Sequence, residues 1–281
     1  MREEANLTKL MELALAEDVG PGDFTTEWTV PQEAEGEAVI VAKEDLIVSG
    51  AWVAMKVFHR VETRLRVTQS AGEGDRVTFG DEVLRIKGPL RGILTGERVA
   101  MNFLGHLSGI ATLTRRFVDA VQGTGAVILD TRKTTPGWRL LEKGAVSAGG
   151  GGNHRMGLHD MILVKDNHLA AAGGIRESVA RVRERNQAGL AVEVEVKTME
   201  ELDEALPLGL DRILLDNMSL EVLGEAVRRI RCLGDHRPLA EASGNMNLET
   251  VRAVAELGVD LISVGALTHS APAADLSLKV I

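Results

Sequence analysis

Several short stretches of this 281-residue chain gather side chains that handle anions, metal ions or sugar hydroxyls. Arg132 and Lys133 lie in Asp130-Thr-Arg-Lys-Thr-Thr-Pro-Gly, His154 and Arg155 follow the glycine run Gly149–Gly152, and Lys165 opens Lys165-Asp-Asn-His. Five clustered cations and donors in a chain of net charge −9 suit a multiply anionic substrate, and arginine forks match planar carboxylates. Glu195 and Asp216 are hard oxygen donors fitted to Mg²⁺ or to sugar hydroxyls. Ser243-Gly244-Asn245 and Gly265-Ala266 leave backbone N–H groups open to a phosphate, because small residues let the anion approach. Together they describe a phosphorylated sugar meeting an acidic partner.

Each residue also has a plainer reading. Asp130 and Arg132 could form a structural ion pair, and Lys165 could bridge Glu195 or Asp216 at a barrel mouth. Glu193 and Glu195 share one strand face, so both point inward or both point outward. For any single residue the two readings stand level; for the whole set the plain one falls behind. Gly149–Gly152 lacks the Gly-Lys-[Ser/Thr] ending of a P-loop and fails the G-x-G-x-x-G spacing. It reads as a backbone path that brings His154 and Arg155 into the pocket. His154 and His159 are five apart, the wrong spacing for two zinc ligands on one helix face.

The elements that must position these groups follow from periodicity. Leu7, Leu10, Met11 and Ala14 mark a first helix, followed by short strand-like runs at Ala38–Ala42, Leu46–Ser49, Arg64–Thr68, Arg76–Phe79 and Val83–Ile86. Gly74-Asp75 and Gly80-Asp81 punctuate them as turns, predicting a small α+β domain with an antiparallel sheet. Leu94 to about Val121 reads as helix, with Gly105 and Gly109 expected to break or kink it. Beyond that, apolar runs at Ala126–Leu129, Met161–Val164, Ala191–Val196, Arg212–Leu215, Leu239–Ala242 and Leu261–Val264 alternate with amphipathic helical segments. Six βα units without a dinucleotide fingerprint favour a β/α barrel, in which every strand end named above opens on one face. Asp275–Ile281 reads as a strand that leaves the barrel.

Composition excludes other classes. Hydrophobic residues make up 44% and charged residues 26%, ordinary for a globular chain. An acidic balance of 41 against 32, with no Tyr, 5 Phe and 3 Trp, argues against nucleic-acid binding. Cys232 is the single cysteine, which excludes an intramolecular disulfide. The charged opening segment carries no secretory signal and Met101–Thr114 is too short to span a bilayer, so a cytoplasmic protein is expected.

The motifs in order resemble the quinolinate phosphoribosyltransferase family. They are Glu17-Asp-Val-Gly-Pro-Gly-Asp-Phe-Thr-Thr, Gly96-Glu-Arg-Val-Ala-Met-Asn-Phe-Leu, the Asp130 block, Leu141-Glu-Lys-Gly-Ala-Val, Gly149–Gly152 with Asn153-His-Arg-Met-Gly-Leu-His-Asp, and Val164-Lys-Asp-Asn-His. Val192–Val196, Leu215-Asp-Asn-Met, Glu241-Ala-Ser-Gly-Asn and Ser263-Val-Gly-Ala-Leu-Thr-His complete the series. Trp138 and Gly144 depart from the family pattern and would alter the pocket wall.

The resemblance implies an α/β fold: an incomplete, roughly seven-stranded β/α barrel (109–270), with an N-terminal α+β sandwich-like domain (1–108) joined by 271–281. It implies transfer of phosphoribose from 5-phosphoribosyl-1-pyrophosphate to quinolinate with Mg²⁺, giving nicotinate mononucleotide, pyrophosphate and CO₂ in NAD synthesis, in a homodimer or larger assembly. Residue by residue, Arg132, His154, Arg155 and Lys165 resemble the quinolinate contacts and Lys133 a pyrophosphate contact. Glu195 and Asp216 resemble the pair that holds ribose hydroxyls and metal; Ser243, Gly244, Gly265 and His269 resemble the 5′-phosphate site. Arg98 resembles an arginine supplied by the neighbouring subunit. Two other readings compete: a same-fold transferase with another acceptor, and a non-catalytic ligand-binding barrel. The first would alter the carboxylate-binding cations, and the second would lose Glu195, Asp216 or Lys133.

Overall fold

A computed structural model describes the backbone of residues 2–281 and the side chains from residue 4 onward. The chain divides into two compact units. The first holds the residues up to Arg115 together with Thr134–Gly150 and Ser270–Ile281. Its strands are β1 (Glu35–Ala42), β2 (Leu46–Ile47), β3 (Arg66–Gln69), β4 (Arg76–Val77) and β5 (Glu82–Pro89). The second unit, Arg116–Lys133 and Gly151–His269, contributes β6 (Val127–Leu129), β7 (Ile162–Val164), β8 (Val192–Val196), β9 (Arg212–Asp216), β10 (Leu239–Ser243) and β11 (Leu261–Ser263). The last strand, β12 (Leu276–Val280), returns to the first unit.

In the first unit an antiparallel sheet runs β12-β1-β5-β3, and β2 pairs with β4 separately. In β1 all five residues from Ala38 to Ala42 are buried, so both faces of the strand are covered over that stretch. β12 pairs antiparallel with β1, from Ala38 opposite Val280 to Ala42 opposite Leu276, so the C-terminal strand does leave the parallel sheet. The predicted break in the long helix is absent: Leu90–Ala120 is one helix of 31 residues. Gly105 and Gly109 serve close approach instead. A Cβ on Gly109 would lie 2.0 Å from the Pro272 carbonyl, and the Ala274 amide donates to the Gly105 carbonyl at 2.9 Å. The glycines admit the returning chain against the helix, and that packing outweighs their poor helix propensity.

Segment 134–150, expected inside the barrel domain, packs in the first unit. Trp138 stacks on Phe103 at 4.5 Å, and His106 Nε2 lies 2.9 Å from the buried carboxylate of Glu142. Trp138 is therefore a packing residue and not part of the pocket wall described below.

The second unit is a six-stranded parallel sheet in the order β6-β11-β10-β9-β8-β7. The first of these strands in the chain pairs with the last, Leu261 opposite Val127, which is the curl of a barrel. A parallel bridge from Leu129 to Gly152 adds a rudimentary seventh strand on the far side of β6. The Gly152 amide donates to the Ile128 carbonyl at 2.8 Å, and a Cβ there would come 2.8 Å from Leu129 Cδ2. The glycine run is thus a strand pairing as well as an entry path. Helices follow the strands: Leu220–Arg231 buries Leu223, Ala226, Val227 and Ile230, an i, i+3, i+4, i+7 face, behind a Ser219 N-cap. Among the described residues, no helix is long and apolar enough to cross a membrane.

Candidate active site

Strand ends of the second unit surround a cavity of about 820 Å³. Its lining includes Arg132, Lys133, His154, Arg155, Lys165, Glu195, Asp216, Ser243, Gly244, Gly265 and His269, which are the sequence-selected residues apart from Arg98. Arg98 is exposed on the long helix of the first unit and is not among the lining residues.

Asp130, at the end of β6, is fully buried and structural. Its carboxylate accepts from the His154 amide at 2.9 Å and from Asn153 Nδ2 at 2.6 Å, fixing the 153–155 segment beside Arg132. Arg155 donates to the Met161 carbonyl at 3.1 Å. Burial and the neighbouring Arg132 charge both pull the Arg155 guanidinium below its ordinary pKa. Two guanidiniums held close enough to repel each other form a ready receptor for carboxylates.

On β8 the side-chain alternation is resolved: Glu193 and Glu195 both face inward, at 0% and 7% exposure. Glu195 lines the cavity and pairs with Lys165 Nζ, so the salt bridge weighed from the sequence forms within the site. Glu193, wholly buried, belongs to a second cluster of charged side chains that His154 links to the cavity. His154 Nε2 lies 3.2 Å from Glu193 and 3.4 Å from Glu241, and Arg212 Nη1 lies 3.7 Å from Glu241. His154, Glu193 and Glu241 could offer three metal ligand atoms within 4.8 Å. Arg212 and His154 face the two carboxylates, so the group reads as a buried charged cluster of side chains.

Burial disfavours the imidazolium, but Glu193 and Glu241 outweigh it and raise His154 to about 9. Burial pushes Glu193 above the ordinary carboxylate range. Burial acts the same way on Glu241, yet His154, Ser263 and Arg212 hold that carboxyl below it. The Arg155 amide donates to His154 Nδ1 at 2.7 Å, a bond that only the neutral ring accepts and that opposes the pull of the two glutamates on the imidazolium, while Nε2 faces the glutamates. His154 therefore lines the cavity with its ring fixed from beneath, a more restricted role than that of a free carboxylate contact. Glu241 and Arg212 were not singled out from the sequence. The available signal was a charge inside an apolar buried strand, as in Leu-Ala-Glu-Ala.

At the other strand ends, a Cβ on Gly265 would meet Lys133 Cδ at 3.1 Å and His269 Nε2 at 3.2 Å. Thr268 Oγ1 donates to the Lys133 carbonyl at 2.8 Å, tying that lysine's backbone to the end of β11. His168 Nδ1 accepts the Lys165 amide at 3.0 Å and caps the helix Asp166–Ala172.

The family models for the N-terminal and C-terminal domains of quinolinate phosphoribosyl transferase match residues 23–108 and 110–279. The chain belongs to the quinolinate phosphoribosyltransferase family. It is 44% identical over 294 aligned residues to quinolinate phosphoribosyltransferase [decarboxylating] 2, mitochondrial, of Nicotiana glauca, covering 98% of this chain and 82% of the relative. A probable nicotinate-nucleotide pyrophosphorylase [carboxylating] of Synechocystis is 43% identical, with 95% and 90% covered. The solved nicotinate-nucleotide pyrophosphorylase of Francisella tularensis superposes with a TM-score of 0.93 at 37% identity, covering 99% of this chain and 96% of that one. The quinolinate phosphoribosyltransferase fold is thus present over nearly the whole length.

Proposed function

We propose that this chain joins quinolinate to 5-phosphoribosyl-1-pyrophosphate and releases nicotinate mononucleotide, pyrophosphate and CO₂, a step of de novo NAD synthesis. The observation that carries the reading is that one cavity is lined both by Arg132, Arg155 and Lys165 and by Asp216, Gly244 and Gly265. Quinolinate has two adjacent carboxylates, and Arg132, Arg155 and Lys165 hold them in register, with His154 as a fixed wall. The small residues Ser243, Gly244 and Gly265, with His269, receive the 5′-phosphate, and Lys133 meets the pyrophosphate.

The pyridine nitrogen forms a bond to the ribose C1 as the C1–oxygen bond to pyrophosphate breaks. Positive charge grows on the ribose, and the carboxylates of Glu195 and Asp216 stabilise it. Glu195 and Asp216 also fit Mg²⁺: they are hard oxygen donors at neighbouring strand ends, few enough that the ion would keep waters and substrate phosphates as further ligands. Bound there, Mg²⁺ would neutralise the leaving anion. Once the nitrogen is cationic, the ring accepts the electron pair left by the departing CO₂, and the ring carbon then takes a proton. The protein's share is to orient both reactants and exclude water.

Arg98, which does not line its own cavity, completes the site of a second copy in a homodimer or larger assembly. A cytoplasmic location accords with the absence of a membrane-crossing helix among the described residues. A transferase with a different acceptor is disfavoured by the intact set of carboxylate-binding cations. Incubation with quinolinate, phosphoribosyl pyrophosphate and Mg²⁺ tests the reading: nicotinate mononucleotide and CO₂ should form in equal amounts. Absence of both would refute it.

A further inference from the structure

Among the described residues, only two outside glycine adopt a positive φ, Asn217 at 53° and Asn245 at 48°. Both line the active-site cavity, one directly after β9 and one two residues after β10. Left-handed backbone is disfavoured for any residue with a Cβ, and glycine supplies it freely. Gly244 does so in the same turn, at φ 101°. Two strained asparagines beside a glycine point to a use for their side chains.

That use is visible in the hydrogen bonds. Asn217 Nδ2 donates to Asp216 Oδ1 at 3.0 Å, and Asn217 Oδ1 accepts from Asn245 Nδ2 at 3.3 Å. The Asn217 amide donates to the Ser243 carbonyl at 2.9 Å. The carboxamide also packs against Gly244, where a Cβ would come 2.2 Å from Asn217 Oδ1. One side chain therefore touches both the carboxylate on β9 and the glycine turn after β10.

We propose that Asn217 is a positioning residue for the phosphoribosyl donor: its carboxamide, buttressed by Asn245, sets the spacing between Asp216 and the Ser243-Gly244 turn to that between a pentose's ring hydroxyls and its 5′-phosphate. The inference rests on the functional reading above, in which Asp216 holds the ribose and Gly244 the phosphate. The hydrogen bonds described for Asn217 run to Asp216, Asn245 and Ser243, so the effect falls on the phosphoribosyl donor. A plain turn role makes the opposite claim. Asparagine is the residue that best tolerates left-handed backbone, and if the turn alone mattered, glycine would replace it without loss.

Asn217→Gly separates the two, because it keeps the backbone free of strain while deleting the carboxamide. Its melting temperature should equal or exceed that of the wild type. The KM for phosphoribosyl pyrophosphate should rise at least tenfold, with the KM for quinolinate changed less than twofold. Asn245→Gly, one contact further away, should raise the donor KM about threefold. Calorimetric titration with phosphoribosyl pyrophosphate and Mg²⁺ should show the same loss in Kd without turnover. An Asn217→Gly enzyme with wild-type donor KM and Kd overturns the inference, as does an equal rise in both KM values. If the wild type binds the donor but makes no nicotinate mononucleotide, the functional reading fails and the Kd ratio alone decides the role of Asn217. If it neither binds nor turns over the donor, both fall.

Discussion

Around the cavity, β6, the Gly152 segment and β7 lead into Arg132, Lys133, His154, Arg155 and Lys165, whereas β9, β10 and β11 lead into Asp216, Asn217, Ser243, Gly244 and Gly265. Apart from Lys133, which crosses to Gly265 and the end of β11, the first side meets anions with charged side chains. The second presents backbone, small residues and the Asp216 carboxylate, which the proposed function assigns to phosphate and sugar. Charge on a side chain is selective for planar carboxylates and holds them in register. Open backbone N–H groups accept a phosphate without demanding a counter-charge. On the proposed function a dicarboxylate meets the first set and a phosphorylated sugar the second, within a cavity where Glu195 pairs with Lys165.

The sharpest way to break this division is to remove charge at the boundary. Glu195→Gln and Asp216→Asn keep volume nearly constant, so melting temperatures should stay within a few degrees. Losing an electrostatic stabiliser of the transition state should lower kcat by about 10²–10³. Near wild-type turnover with Mg²⁺ in either variant would end the assignment. Almost as large is the effect expected at Arg98. Arg98→Ala and Lys133→Ala assemblies should each be nearly inactive; mixed and allowed to exchange, about half the dimers carry one intact site, restoring roughly a quarter of wild-type activity. No recovery after exchange verified by mass spectrometry would place Arg98 outside the partner's site.

Arg155→Ala should act on one side only. A charge-assisted hydrogen bond contributes about 1.5–3 kcal/mol, so the KM for quinolinate should rise at least tenfold while the donor KM stays within twofold. A matching rise for both substrates would erase the distinction between the two sides. The smallest effect concerns His154, raised from 6.5 to about 9. A raised pKa means that its contribution to stability is complete below pH 6.5 and lost as pH climbs through 9. The stability gap between wild type and His154→Gln should shrink by about 2–3 kcal/mol between pH 6 and pH 10. A constant gap would show that the imidazole is neutral throughout.

The same contrast explains what the sequence could disclose. The parallel strands were legible because each is a short apolar run that ends in polar residues, and the cationic side because arginine and lysine declare their chemistry by type. Gly105 and Gly109 misled: helix propensity is local, and the chain that packs on them returns from residues 272–274, far along the sequence. Gly152 concealed a strand because a single bridge leaves no periodic trace. The Glu193–His154–Glu241 cluster joins three separate segments, so no spacing rule could have found it. Asn217 and Asn245 show their significance only in backbone angles.

The division of the cavity is tested most directly by comparing acceptors at saturating phosphoribosyl pyrophosphate and Mg²⁺. Nicotinate carries one carboxylate and leaves part of the Arg132, Arg155 and Lys165 cluster unpaired. The kcat/KM for quinolinate should exceed that for nicotinate at least tenfold, with nicotinate mononucleotide as the common product. Equal values for the two acids would mean that the cationic side does not read the second carboxylate, and the account would be contradicted at its centre.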